Sequence, residues 1–304
     1  MHYFQRGLFL GIIEKALSIG GTGVHIFFIC SGFGLFMSYT RRRTNYLEFF
    51  KRRFFKVYIP YIIIVAIAVC LPYMISTNPL KTFLAHAFLY KMFSQVYEES
   101  IWTFWYISTL FQFYFLFIPL MKIKERIGSN KFLISGCVIS IFWWLFTAFT
   151  GLSSQRIWGS FCFQYMWEFC FGIIIAERLI NNGDIRIRRS ILAILFIAGI
   201  GIASVLKMIG EPYEAFNDLF AVVGYGSFAL LLYSLKNSIV CNIMNWISSI
   251  SYEWYLTHIL VFNTVKCFIG KTIVSSVIAL PFSIIAAFIY KKICGIVLKD
   301  RALE

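Results

Sequence analysis

Polar positions in this chain are sparse and bunched, and long apolar stretches without alternation run between them. Nine stretches stand out, at roughly 23–39, 57–76, 102–121, 132–150, 163–180, 190–208, 217–235, 252–269 and 272–290. A bilayer core of about 30 Å needs about 20 apolar residues in a helix. Lipid satisfies no backbone hydrogen bonds, so a spanning segment must be helical or part of a closed barrel. Barrel strands alternate apolar and polar residues, and these stretches do not. The pattern predicts an all-α fold, a polytopic integral membrane helical bundle with nine spans. Connections are short apart from 77–101, where Phe83 to Tyr90 is apolar but too short to span. No repeat, linker or low-complexity tract divides the chain, so residues 1–304 read as a single membrane domain.

Composition supports this picture. Of 304 residues, 60% are hydrophobic, 19% aromatic and only 14% charged. Soluble domains are nearer half apolar and a quarter charged. A soluble fold, disorder and nucleic-acid binding are thereby excluded as the main business of the chain. The net charge of +14 has a topological explanation. Twenty of the 28 basic residues fall on alternating connections, within 41–56, 122–131 and 178–189, at Lys236, and in the tail after the last span. Positive charge stays on the cytoplasmic side. The tail 291–304 is therefore expected in the cytoplasm, and residues 1–22 outside as an external or interfacial segment. An N-terminus outside with no translocating element before it suggests a further helix upstream of Met1, giving ten spans with both ends cytoplasmic. The eight cysteines are scattered singly and read as small buried hydrophobes, with neither metal-ligand nor redox spacing.

Candidate chemistry is confined to a few ionisable groups at membrane depth, where charge is costly and points to function by default. Glu168 lies inside the 163–180 stretch, and Glu253 and His258 inside 252–269. His25 begins the first stretch, His2 stands at the start of the chain, and His86 lies in the 77–101 connection. No nucleophile elbow, phosphate loop or zinc-protease motif is present. The Gly-x-Gly pairs at Gly21 and Gly32 open no nucleotide fold and suit close helix contact.

Four segments together resemble one family. Phe27-Phe28-Ile29-Cys30-Ser31-Gly32-Phe33 is similar to the F-F-x-x-S-G-F signature of the acyltransferase-3 family of bacterial membrane proteins. Lys51 to Tyr61, with Arg52, Arg53, Lys56 and Pro60, resembles the basic run that follows it. Trp105-Tyr106-Ile107-Ser108, Gln112-Phe113-Tyr114 and Pro119-Leu120 resemble the W-x-L-S…Q-F-Y…P-L helix. Ile250 to His258, including Tyr255, resembles the late S-Y-x-x-Y-L-x-H segment. Their order and separation cover nearly the whole chain. Three departures are visible: the family's first helix with its Arg is absent, Leu110 stands where many members have Glu, and Lys56 replaces a common Arg.

The resemblance implies an O-acyltransferase that moves an acyl group, often acetyl, from cytoplasmic acyl-CoA to a sugar hydroxyl of an exopolysaccharide or other surface glycan. Acyl-CoA is then a co-substrate and no bound cofactor is implied. The partners are membrane lipid, acyl-CoA and a glycan acceptor, and the setting is the bacterial inner membrane. His2 matches the family's catalytic histidine, with His258 as a second base or orienting group. Arg52, Arg53 and Lys56 are placed at the donor. His25, Ser31, Trp105, Ser108, Gln112, Tyr114, Glu168 and Tyr255 are placed around the cavity and acceptor. Each has a plainer reading: topology for the basic run, helix packing for Ser31 and the Trp105 helix, and a backbone-bonded histidine for His258. A sugar exporter and a truncated inactive relative are the competing functions. Exporters often show inverted repeats, and none is legible.

Overall fold

The computed structural model describes residues 19–75, 77–97, 100–153, 155–183, 187–210, 217–235, 238–270 and 272–298. Every regular element among them is helical. The α-helices are α1 Gly23–Arg41, α2 Tyr46–Arg53, α3 Ile59–Val69, α4 Pro79–Ala87, α5 Trp105–Ile127, α6 Ser129–Phe149, the short α7 Arg156–Gly159, α8 Met166–Asn182, α9 Arg189–Ile209, α10 Asn217–Ser234, α11 Ser238–Ile269 and α12 Ile273–Leu298. Each of the nine apolar stretches coincides with helix over most of its length. Among the described residues, six helical segments are long and apolar enough to cross a membrane: Gly23–Arg41, Trp102–Ile127, Ser129–Phe149, Arg156–Asn182, Arg189–Ile209 and Ile273–Ile296.

Two boundaries differ from expectation. The stretch at 57–76 ends as helix at Val69, where the Cys70 and Leu71 N–H groups turn to the carbonyls of Ile67 and Ala68 at 3.2 and 3.1 Å. Pro72 cannot continue a helix, and the residue before a proline avoids the helical region. At its other end the helical path runs back through a π-helical turn, Phe54–Tyr58, into α2. Pro60 has no N–H and its ring crowds the carbonyl four residues earlier, so a widened turn there relieves the clash. The α11 helix begins at Ser238, well before 252, because its polar opening residues are compatible with helix though not with a lipid core.

The chain forms two compact units. One contains the described part of Phe9–Thr44 together with Phe115–Cys241, and is built on α1, α6, α8, α9 and α10. Here α1 and α8 approach at Gly32 and Gly172, where a Cβ on either would collide with a backbone carbonyl, of Phe169 and Ile29 respectively. The α9 and α10 helices also meet closely at Gly199 and Gly224, where a Cβ would collide with the backbone of Phe220 and Gly224 or with Ile200. Without a hydrophobic drive between helices in lipid, such backbone proximity supplies the packing.

The other unit contains Asn45–Tyr114 and the described part of Asn242–Glu304. Its α2 is capped by Asn45, whose side chain accepts the Glu48 N–H at 2.8 Å. Glu48 in the first turn and Lys51, Arg52 and Arg53 in the last complement the helix dipole. Tyrosine hydroxyls stitch the unit: Tyr252 donates to the Val57 carbonyl at 2.6 Å and Tyr290 to Pro60 at 2.6 Å. The Pro60 carbonyl thus has a donor from outside its own helix.

The glycine contact is directly testable. Gly32→Ala is expected to cost about 1–3 kcal/mol through overpacking, read as a lower unfolding temperature in detergent. Gly34→Ala, where a Cβ meets nothing within 4 Å, is expected to melt like the native protein. Equal melting of the two variants would contradict the close α1–α8 crossing.

Candidate functional site

In the first unit, three helices begin with an ionisable residue in their opening turn. These are His25 on α1, Glu168 on α8 and Asp218 on α10. The His25 ring lies between the two carboxylates, with Nδ1 2.7 Å from Glu168 Oε1 and Nε2 2.8 Å from Asp218 Oδ1. Glu168 is sealed, its side chain 1% exposed, whereas that of Asp218 is 15% exposed. Tyr165 covers the ring at 5.5 Å between centroids, stacks on Phe28 at 4.5 Å and donates its hydroxyl to the Gly159 carbonyl.

The first turn of a helix carries unpaired N–H groups and a partial positive charge, which favours a carboxylate there. That accounts for Glu168 and Asp218 at those positions. Two short N···O contacts cannot both form around a neutral ring and two ionised carboxylates, because one nitrogen would face an oxygen lone pair to lone pair. The triad therefore holds at least two hydrogens, as an imidazolium between two carboxylates or as a neutral ring beside one protonated acid. Glu168 Oε2 is buried and has no hydrogen-bond partner among the described residues.

The sequence singled out His25 and Glu168 separately, and the structure brings them together. Asp218 was missed. The available signal was an acid at the edge of the 217–235 apolar stretch. Ser31 lies in the same unit, with its hydroxyl bonded back to the Phe27 carbonyl at 2.7 Å.

The remaining described candidates lie in the second unit. The Arg53 guanidinium sits over the rings of Phe49 and Tyr114 at 5.5 and 6.0 Å, and its Nε has no hydrogen-bond partner among the described residues. Burial lowers its pKa from the ordinary arginine value, while Tyr114 acts in the opposite direction. Arg52 is tied to Glu48 at 2.6 Å, and Lys56 is exposed. His258 Nδ1 lies 2.6 Å from the Tyr255 carbonyl and 3.1 Å from that of Trp254. Carbonyls only accept, so Nδ1 carries hydrogen and Nε2 bears the lone pair of the neutral ring. Tyr255 donates to the Thr103 carbonyl at 2.5 Å. Ser108 is buried, and its hydroxyl has no hydrogen-bond partner among the described residues. Trp105 is buried and Gln112 half-buried on the same helix. His2 lies outside the described residues.

A second polar cluster in this unit centres on His86. Its Nδ1 meets the Tyr61 hydroxyl at 2.8 Å and its Nε2 the Ser100 hydroxyl at 3.2 Å. Lys91, fully buried, donates to the carbonyls of Ser100 and Ile101 at 2.6 and 3.3 Å. Ile101 has φ +43, a left-handed conformation that a β-branched residue avoids. The ammonium holds this strained turn at the entrance to α5.

Helices of spanning length, with ionisable groups buried among them, define a multi-pass membrane protein. A family model described as an acyltransferase domain matches residues 1–292. The chain belongs to the acyltransferase-3 family, and acyl transfer is its general activity. No curated protein and no solved structure matches it.

The His86 cluster sets an acid dependence. Burial, then the neighbouring Lys91 charge, hold the His86 pKa well below its usual value. Below about pH 6.5 the unfolded chain therefore binds more protons than the folded one, and stability falls as pH falls. The unfolding temperature is expected to drop from about pH 7 to about pH 5, and His86→Asn to flatten that slope. An unchanged slope in the variant would contradict the assignment.

Proposed function

We propose that this membrane acyltransferase moves an acyl group, acetyl in the simplest case, from cytoplasmic acyl-CoA to a sugar hydroxyl of a surface glycan. The setting is the bacterial inner membrane, with the C-terminus inside as the basic connections indicate. The observation that carries the reading is Arg53, a cation held on aromatic faces with an unpaired Nε, in a basic run that ends α2. A guanidinium so placed suits the phosphates of coenzyme A, with bidentate geometry that a lysine lacks. Lys51, Arg52 and Lys56 add charge around it.

A sugar hydroxyl is a poor nucleophile at neutral pH, and a base that removes its proton as it attacks contributes roughly 10²–10⁴-fold. His258 is suited to this, because its Nδ1–H faces backbone carbonyls and the neutral ring then carries its basic lone pair on Nε2. His2, matched to the family's histidine, is the other candidate imidazole. Oxygen–carbon bond formation then expels the coenzyme thiolate as the carbon–sulfur bond breaks. His25 cannot be the base, since both its nitrogens are engaged.

The protein reconstituted in lipid is expected to transfer label from acetyl-CoA to de-acetylated envelope polysaccharide. Arg53→Ala should raise KM for acetyl-CoA about tenfold or more, the worth of a hydrogen bond to a charged group. His258→Ala should lower kcat about a hundredfold. Movement of unmodified polysaccharide without acyl transfer would overturn the reading in favour of an exporter.

A further inference from the structure

The imidazole of His258 takes its place from Tyr255. Its Nδ1 lies 2.6 Å from the Tyr255 carbonyl, and its ring lies 5.9 Å from the Tyr255 ring between centroids. Tyr255 is fixed in turn by the entrance to α5. Its hydroxyl donates to the Thr103 carbonyl at 2.5 Å, and its ring packs against Tyr106 and Phe104 at 5.6 and 6.0 Å. That entrance contains the left-handed Ile101, and Lys91 holds it through the Ser100 and Ile101 carbonyls. We infer that Lys91 and Tyr255 are positioning residues for His258: Lys91 fixes the strained 100–104 turn, and Tyr255 ties the imidazole to it. The inference rests on the acyl-transfer reading, which makes His258 the base.

A β-branched residue at positive φ and a fully buried ammonium are each unfavourable, and a helix start requires neither. Backbone strain persists only where the surroundings over-determine it, and it gathers where geometry serves chemistry. Here the surroundings do over-determine it. The Ser100 hydroxyl gives its one hydrogen to the Tyr97 carbonyl at 2.5 Å, so it accepts the His86 Nε2–H at 3.2 Å. His86 Nδ1 then carries the lone pair and accepts the Tyr61 hydroxyl at 2.8 Å. The rings of Tyr61 and His86 close on Phe104 at 5.3 and 6.1 Å, and the Phe104 N–H donates to the Ile101 carbonyl at 2.9 Å. Each hydrogen so assigned has an acceptor, and a satisfied buried network is rigid. All of these residues belong to the second unit.

Such rigidity suits a base. To take a hydroxyl proton, the imidazole must point its lone pair at the attacking oxygen, and a misplacement of about 1 Å costs about a hundredfold. The α11 helix fixes the His258 backbone but leaves several side-chain rotamers open. The Tyr255 carbonyl and ring select one of them. Lys91 acts further back, through the Ile101 turn and the Thr103 carbonyl on which the Tyr255 hydroxyl is anchored.

A purely structural role would use the same contacts, and a double-mutant cycle separates the two. The assay is label transfer from acetyl-CoA to de-acetylated envelope polysaccharide by the protein in lipid. Tyr255→Phe keeps the ring and loses the hydroxyl, and Lys91→Met keeps the length and loses the donors. Each is expected to lower kcat roughly ten- to a hundredfold, with KM for acetyl-CoA unchanged. Added to His258→Ala, each is expected to lower kcat by less than about twofold more, because nothing is left to position. An unchanged kcat in either variant, or losses that multiply with that of His258→Ala as those of independent sites do, would overturn the inference. Should Lys91→Met not insert, Tyr255→Phe decides by the same two criteria. A native kcat in His258→Ala would overturn the reading of His258 as the base, and the positioning role with it, a result the cycle reports separately.

Discussion

One imidazole shared between two carboxylates fixes the geometry of the first unit. Charge at membrane depth is tolerated only when it is paired and hydrogen-bonded. His25, Glu168 and Asp218 meet that condition together and would fail it singly. Removing the ring would leave a sealed acid facing a second, partly exposed one, so the three helix starts that bear the triad are held to one arrangement. The glycine contacts of α1 with α8 and of α9 with α10 then set how closely the rest of those helices pack. Dipoles, small residues and the triad all act on the same helices, and each makes the others less costly.

The second unit meets the same constraint by other means. Tyrosine hydroxyls there donate to backbone carbonyls beside the widened turn and at the entrance to α5. A fully buried lysine is spent on two carbonyls beside the strained Ile101. Strain of this kind costs about 1–3 kcal/mol and persists only where the surroundings over-determine it. Arg53 differs from these groups: its cation lies over the rings of Phe49 and Tyr114, and among the described residues no carboxylate pairs with it.

Much of the fold was legible in the sequence because lipid permits so few backbone solutions. Unbroken apolar stretches gave the helices, and the alternation of basic connections gave their expected direction. Legibility failed where local chemistry overrode hydropathy. Pro72 cut a helix that apolarity alone extended to 76, and the polar start of α11 hid a helix begun at Ser238. The family resemblance carried the activity through motifs read in order, and the match over residues 1–292 bears it out. The triad was only half legible. His25 and Glu168 lie 143 positions apart, and a lone acid at a stretch edge, as Asp218 is, carries no mark of its partner. Sequence periodicity reports which face of a helix is apolar, and says nothing about which helix starts converge.

The shared imidazole is the claim on which the account of the first unit depends, and nitrogen-15 NMR of the histidine side chains reads it directly. The chain has four histidines, and His25→Gln assigns the signals. The account predicts that both His25 ring nitrogens are hydrogen-bonded at neutral pH, with no free lone-pair resonance, and that the Nε2 signal moves in Asp218→Asn. A sharp lone-pair signal from either His25 nitrogen, unaltered in that variant, would contradict it.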